Sequence, residues 1–328
     1  MISRNPSEAR KKYPDLLIGD RITVAGKKVF RFHYQKMVEN EKGTKLGVDI
    51  EALHDMRVAI RRMRTAIGLF RNFYDPEFVM MLHKNLRKAG KSLGQVRDLD
   101  ILIQMLDHDF NVGKPSTSSE NAMFYHSLRN SWIEERVEAR EKMLSYLSGK
   151  KYHRLKNLLA GFIQTTTYDK DDFEMSPPAT QLLQEMASER FQNVAAFERI
   201  FPSPSLTQLH ELRIAVKQLR YTIEFFRNIL GEEADICITI LKGIQDYFGD
   251  VNDNHVAINR LAKYADGVGS FFDAIQMEID IFMCQLNSYI QQKKANLDAA
   301  VLSCSDVWNK FDEEGFFLTF KSALTTLN

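Results

Sequence analysis

The sequence predicts an all-α fold, and three observations carry that prediction. Glycine and proline are sparse, at 16 and 8 of 328 residues. No run alternates apolar and polar residues as a half-buried strand does. Long stretches instead repeat apolar residues at spacings of three and four. Breaks between these stretches fall at NEKGTKLG (40–47), FYDPEF (73–78), NVGKPSTSSEN (111–121), YDKDDFEMSPPAT (168–180), FPSPS (201–205) and LGEEAD (230–235), all turn-forming compositions. The segments between them have the length of helices in antiparallel bundles, roughly twenty to thirty residues.

Taken in order, a first helix leads to the break at 40–47. A second opens at Asp49, whose carboxylate can cap it. It carries HDMRVAIRRMR (54–64) and runs on through AIGLFRNF (66–73). A third, after FYDPEF, contains LRKAGKSLGQVRDLDI (86–101). Beyond position 180 the order begins again. Ser205, with Gln208 three residues on, forms a capping box. HELRIAVKQLR (210–220) and TIEFFRNI (222–229) then repeat the second helix 156 residues later, and LKGIQDYFGDVNDNHV (241–256) repeats the third. The chain is an internal duplication, and its halves are expected to pack about a pseudo-two-fold axis.

Composition narrows the function classes. The formal net charge is only +1, with 44% hydrophobic and 27% charged residues, so the broad basic footprint of many nucleic-acid binders is absent and any anion site must be local. No apolar run reaches the length of a membrane span, and the opening MISRNPSEARKKYPDLL lacks the apolar stretch of a secretory signal. Residence in the cytoplasm is the expectation. Cys237, Cys284 and Cys304 show neither a disulfide framework nor metal spacing, and are read as buried thiols.

Local charge is concentrated on the motif helices. At about 100° per residue, His54, Arg57, Arg61, Arg64 and Arg71 share one stripe about 100° wide. Met56, Ala59, Ile60, Met63, Ile67 and Phe70 form a core face on one side of it, and Val58, Thr65 and Leu69 flank the other. The second copy places His210, Arg213, Lys217, Arg220 and Arg227 on its stripe, with Glu224 where the first has Gly68. That acid can pair with Arg220 or Arg227 and weaken the second half as an anion site. From His54 to Arg97, ten Lys and Arg residues, including Lys84, Lys88 and Lys91, stand against three acids. Asp98 and Asp253 recur at equivalent places, positioned to cap a helix after a turn at Gly94 or Gly249 or to orient a motif arginine. Like charges at this spacing repel, so a repeated cationic row calls for acids on neighbouring helices or for a polyanion.

These four linked motifs, in this order, resemble the CHAD family of conserved-histidine α-helical domains. The resemblance spans about residues 20–325. It implies two pseudo-symmetric antiparallel four-helix bundles forming one unit, with a tail over 1–19 and half-repeats at 20–168 and 169–328. It further implies a basic groove or pore that binds inorganic polyphosphate. The implied ligand set is His54, Arg57, Arg61, Arg64, Lys88, Lys91 and Arg97 from the first half, and His210, Arg213, Lys217 and Arg220 from the second. Gly243 stands at the place of Lys88, Tyr247 near that of Lys91 and Asn252 at that of Arg97, so the first half is expected to dominate. Many relatives carry a CYTH triphosphatase domain with an acidic ExExK strand. None is found here, and the chain is expected to be a binding module without catalytic residues, cofactor or metal. Enzymes of polyphosphate metabolism are candidate partners, and nucleic acid is a weaker one. Two other readings compete: an HD-type metal phosphohydrolase built from His33, His54-Asp55 and Asp98, and an adaptor for an acidic protein.

Overall fold

The computed structural model describes residues 12–111, 119–165, 176–201, 203–268, 276–313 and 315–325. The first half comprises α1 (Ile22–Leu46), α2 (Ile50–Phe70), α3 (Pro76–Asn111), α4 (Ser119–Ser148) and α5 (Lys150–Gln164). The second comprises α6 (Ala179–Ala195), α7 (Leu206–Phe225), a single turn at Arg227–Leu230, α8 (Glu233–Val268), α9 (Gln276–Leu302), α10 (Cys304–Glu313) and α11 (Phe316–Thr325). Among the described residues there is no strand, only an isolated bridge between Arg21 and Pro178. No helix among them is long and apolar enough to cross a membrane. Residues 1–11 of the expected tail lie outside the described residues. So do 112–118 and 166–175, most of the breaks expected at 111–121 and 168–180.

Both caps form as the sequence dictates. Asp49 accepts from the Glu51 amide at 2.9 Å, and Ser205 and Gln208 complete a capping box, each side chain accepting from the other residue's backbone N–H. Each cap satisfies amides that the first helical turn leaves without partners. The break expected over 40–47 is narrower than composition implies. α1 runs through Gly43 to Leu46, and only Gly47, at φ 70°, ends it. Gly43 stays helical because α1 and α2 meet there, where an added Cβ would lie 2.7 Å from Ala52 Cβ. No turn occurs at Gly94 or Gly249 either: α3 and α8 pass straight through them, each 36 residues long.

The core face read from periodicity is buried throughout. Met56, Ile60, Met63 and Phe70 of α2 and Leu212, Val216, Leu219 and Phe226 of the second half are fully enclosed in one apolar core. Each contributes roughly 1.5–3 kcal/mol through removal from water. α2 packs chiefly against α1 and α3, and α7 against α6 and α8. Cys237 and Cys304 are buried as expected, but Cys284 is exposed, a correction to the reading of all three as buried. It lies on an exposed face of α9.

The halves meet through charge as well as apolar packing. Glu224 of α7 is almost completely buried. It accepts from Arg62 of α2 at 2.6 Å and from Arg220 at 2.7 Å. The ring of Tyr221, also buried, faces the guanidinium groups of Arg61, Arg62 and Arg220 at 5.9, 5.5 and 4.8 Å. Arg227 pairs with Asp235 rather than with Glu224. Removing one partner of such a buried pair leaves charges uncompensated. Glu224→Ala is therefore expected to destabilise the fold by about 3–5 kcal/mol, measured as a lower urea midpoint at unchanged m-value.

Candidate functional site

The stripes of both motif helices open onto one cavity of about 540 Å³, walled by α2, α3, α7 and α8. Its basic residues are His54, Arg57 and Arg61 of α2, Arg97 of α3, and Arg213 and Lys217 of α7. Six of the eleven residues implied by sequence are thus brought together, from both halves of the chain.

Arg57 and Arg213 each approach a glycine of the long helix opposite. Arg57 Nη1 donates to the Gly94 carbonyl oxygen at 3.2 Å and to Asp98 Oδ1 at 2.7 Å. A Cβ added at Gly94 would lie 3.7 Å from the Arg57 guanidinium, and one added at Gly249 would lie 3.8 Å from that of Arg213. Each of these arginines therefore packs against a glycine of the helix opposite. Asp98 orients Arg57, one of the two roles its position allowed.

Other arginines in the cavity keep N–H groups without an acceptor. Arg61 Nε, Arg97 Nε and Nη1, and Arg213 Nε are buried and, among the described residues, donate to no acceptor. Burial lowers the affinity of the Arg213 guanidinium for its proton; Asp253 opposes this and Arg61 and Arg57 add to it. Lys217 is pushed down to about 7, chiefly by burial, then by Arg213 and Arg61, with Asp253 opposing and Arg220 adding. The His54 imidazole is held below its usual value by burial and then by Arg97. Mutual influence of this kind places cations of the two halves within electrostatic reach of one another.

Five implied residues lie elsewhere. Arg64 is exposed and reaches over Gly90 of α3, and Lys88 and Lys91 are exposed on α3 without lining the cavity. His210 belongs to a neighbouring cavity of about 220 Å³ and pairs through Nδ1 with Asn252 Oδ1 at 3.0 Å. Arg220 is buried, bonded to Glu224 and to Gln245. Their helical phase is as read, but phase alone does not say which part of a stripe meets another helix.

Sequence reasoning passed over the acids. Asp246 and Asp250 of α8 line the same cavity beside Asp98 and Asp253. Their spacing in QDYFGDVND, four and then three residues to Asp253, puts them on one helical face and was legible. Burial, then Asp253 and Asp246, pushes the Asp250 carboxyl up. The order of histidines and acids that imitates an HD-type site does not converge. His33 and Asp55 line a separate cavity of about 530 Å³, whereas His54 and Asp98 line the cationic one. His33 is buried between the rings of Phe32 and Phe225, with its imidazole held well below its usual value by that burial.

An all-helical chain with a cationic cavity fed by duplicated helices is a recognisable class of protein. The CHAD domain profile matches residues 28–262, and the chain belongs to that family. Among solved structures it is similar to the CHAD domain from the plant Ricinus communis, at 21% identity and a TM-score of 0.65, over 87% of this chain and 94% of that one. It is also similar to PptA from Streptomyces chartreusis, at 13% identity and a TM-score of 0.65, over 88% of this chain and all of that one. No curated protein matches the chain significantly.

The lysine offers a direct test of the cavity's electrostatics. In protein carrying ¹³C-labelled lysine, the Lys217 side chain is expected to titrate near pH 7, against an ordinary value of 10.5, and to move upward when sulfate is added. A midpoint close to the ordinary value would show that the amine is solvated and the cavity open.

Proposed function

We propose that this protein is an inorganic polyphosphate-binding module and not an enzyme. The family to which it belongs is known as a polyphosphate-binding module. One observation in the chain itself carries the reading: Arg61, Arg97 and Arg213, drawn from both halves, line one cavity, and each keeps a buried N–H group without an acceptor among the described residues. Leaving a buried donor unpaired costs about 1–3 kcal/mol, which an incoming oxyanion offsets. Guanidinium groups match phosphate oxygens in paired, charge-assisted hydrogen bonds, and a lysine adds compact charge.

The roles divide accordingly. Arg61, Arg97, Arg213 and Lys217 contact phosphate, with Arg57 and His54 beside them. Arg64, Lys88 and Lys91 extend the path along the exposed first half, and His210 contributes through the neighbouring cavity. Arg220 is a positioning residue, fixed by Glu224 beneath the Tyr221 ring. Residues 20–168 and 169–328 form two bundles about a pseudo-two-fold axis. Several features support this. Repeat-equivalent residues touch, at Arg21 with Pro178 and at Phe70 with Phe226, whose ring centroids are 6.3 Å apart. The helix order recurs, and the arginine-on-glycine arrangement occurs twice.

Single-stranded nucleic acid is disfavoured because binders of that class offer aromatic stacking platforms. Tyr221, Phe70 and Phe226, the aromatic residues nearest the stripes, are all buried.

Titration with polyphosphates of graded length across a salt series tests the proposal. Affinity is expected to fall linearly on a log–log plot against salt, as counterion release requires. Arg61→Gln combined with Arg213→Gln should weaken binding at least about tenfold, or 1.4 kcal/mol, with circular dichroism unchanged. Wild-type affinity in that variant, or displacement of polyphosphate by single-stranded RNA at equal charge, would overturn the reading.

A further inference from the structure

The two long helices that wall the cavity are copies of one another, yet they carry opposite charge in and beside it. Carrying the 155-residue register of Gly94 with Gly249 along the helices sets Lys88 against Gly243, Lys91 against Asp246, Gln95 against Asp250, Arg97 against Asn252 and Asp98 against Asp253. At these five pairs α3 therefore offers three cations and one acid, and α8 three acids and no cation.

The acids of this stretch are not equivalent. Asp98 is neutralised by Arg57 at 2.7 Å. Asp253 accepts from Asn252 at 3.2 Å and lies close enough to Arg213 to oppose its loss of a proton. Asp246 and Asp250 have no ion-pair partner among the described residues, although both line the cavity. Nothing in the fold needs them to be acidic, because both are exposed.

We infer that Asp246 and Asp250 close the α8 wall to phosphate, so that a polyphosphate chain seated on Arg61, Arg97, Arg213 and Lys217 leaves the cavity over α3, along Lys91 and Lys88. The inference rests on the polyphosphate reading and adds to it a direction of travel and the residues that impose it. Phosphates advancing along α8 meet uncompensated carboxylates in a partly enclosed space, where like charges repel far more than in open water. Phosphates advancing along α3 meet ammonium groups. A triphosphate that fits inside the cavity experiences this difference weakly, whereas a chain of tens of phosphates experiences it fully. Chain length is thus discriminated by one wall of the duplicated pair.

Copying the first half's residues into the second provides the test. Asp246→Lys with Asp250→Gln is expected to raise affinity for a chain of about 45 phosphates at least tenfold and to steepen its salt dependence, each added cation releasing about one more counterion. Affinity for triphosphate should change much less. The reverse substitution, Lys91→Asp, should weaken the long chain at least fivefold and triphosphate less. A variant with the same charge change on α4, Glu138→Lys with Glu141→Gln, controls for net charge and should stay within twofold of wild type.

Long-chain affinity within twofold of wild type in both cavity variants, or equal gains for both ligand lengths, would overturn the inference while leaving the binding reading intact. Failure of the wild-type protein to bind polyphosphate of any length would remove both. Each variant is checked for helicity and melting temperature first. Lys91→Asp lies on a different helix from the other pair, so one misfolded variant does not decide the result.

Discussion

Repulsion among cations inside a partly dry cavity is the constraint around which this fold is arranged. Arg57, Arg61, Arg97, Arg213 and Lys217 all face the same space, whose positive charge Asp98, Asp246, Asp250 and Asp253 offset only in part. In water such groups would move apart; on helices fixed by an apolar core they cannot. The fold tolerates the arrangement because α2 and α7 each bury a complete apolar face behind the stripe, from Met56 to Phe70 and from Leu212 to Phe226. The lowered proton affinity of Lys217 and Arg213 is the residue of that compromise. It also means that the ligand-free protein is electrostatically frustrated where it is most exposed to anions. An anion entering the cavity relieves the frustration, and whatever binds the folded chain alone stabilises it by mass action.

A second consequence is that one helical stripe performs two tasks at different depths. Where it lines the cavity, Arg61 and Arg213 keep N–H groups without an acceptor among the described residues. Toward the centre of the molecule the cations are neutralised in place: Arg62 and Arg220 on Glu224, with Tyr221 between the guanidinium groups, and Arg227 on Asp235. The boundary falls within about one helical turn, between Lys217 and Arg220. Glu224 defines it. In the first copy the equivalent position is Gly68, where an added Cβ would lie 3.9 Å from Arg190 Nη2. Arg190, itself buried and pushed down to about 10 by that burial, donates to the Gln218 carbonyl oxygen and to Thr222. The two copies thus fill their central layer with different chemistry while keeping the same backbone.

Much of this was legible in the sequence because it is local. Helix caps at Asp49 and Ser205, the apolar face and the cationic stripe depend on spacing within one helix, and periodicity reads spacing well. The partition of the stripe was not legible, because it depends on which turn of α2 meets which turn of α7. Arg220 and Arg61 share a stripe in projection, yet one is buried on an acid and the other opens onto the cavity. His210 illustrates the same limit: its helical phase matches His54, but Asn252 at the place of Arg97 draws it toward the neighbouring cavity. Cys284 is exposed because apolar character in a single residue does not decide which face of α9 it occupies. The acids at 246 and 250 could have been read from their spacing. They were passed over because attention to a cationic motif does not weigh the charge on the wall opposite.

The pairing of Arg57 with Gly94 and of Arg213 with Gly249 separates what the duplication must keep from what it can change. In both copies a guanidinium lies against a glycine of the helix opposite at the same register, so that an added Cβ would touch it at 3.7 Å in the first and 3.8 Å in the second. That close approach of an arginine to the helix opposite is a packing feature that both copies share. Charge along the same helices is not shared, since Lys91 and Asp246 occupy equivalent exposed sites with opposite sign. Geometry in the two halves is therefore fixed by packing, while electrostatics is free to diverge on the surface. A symmetric scaffold of this kind becomes a directional one through exposed substitutions alone, without disturbing the helices that hold its arginines in place.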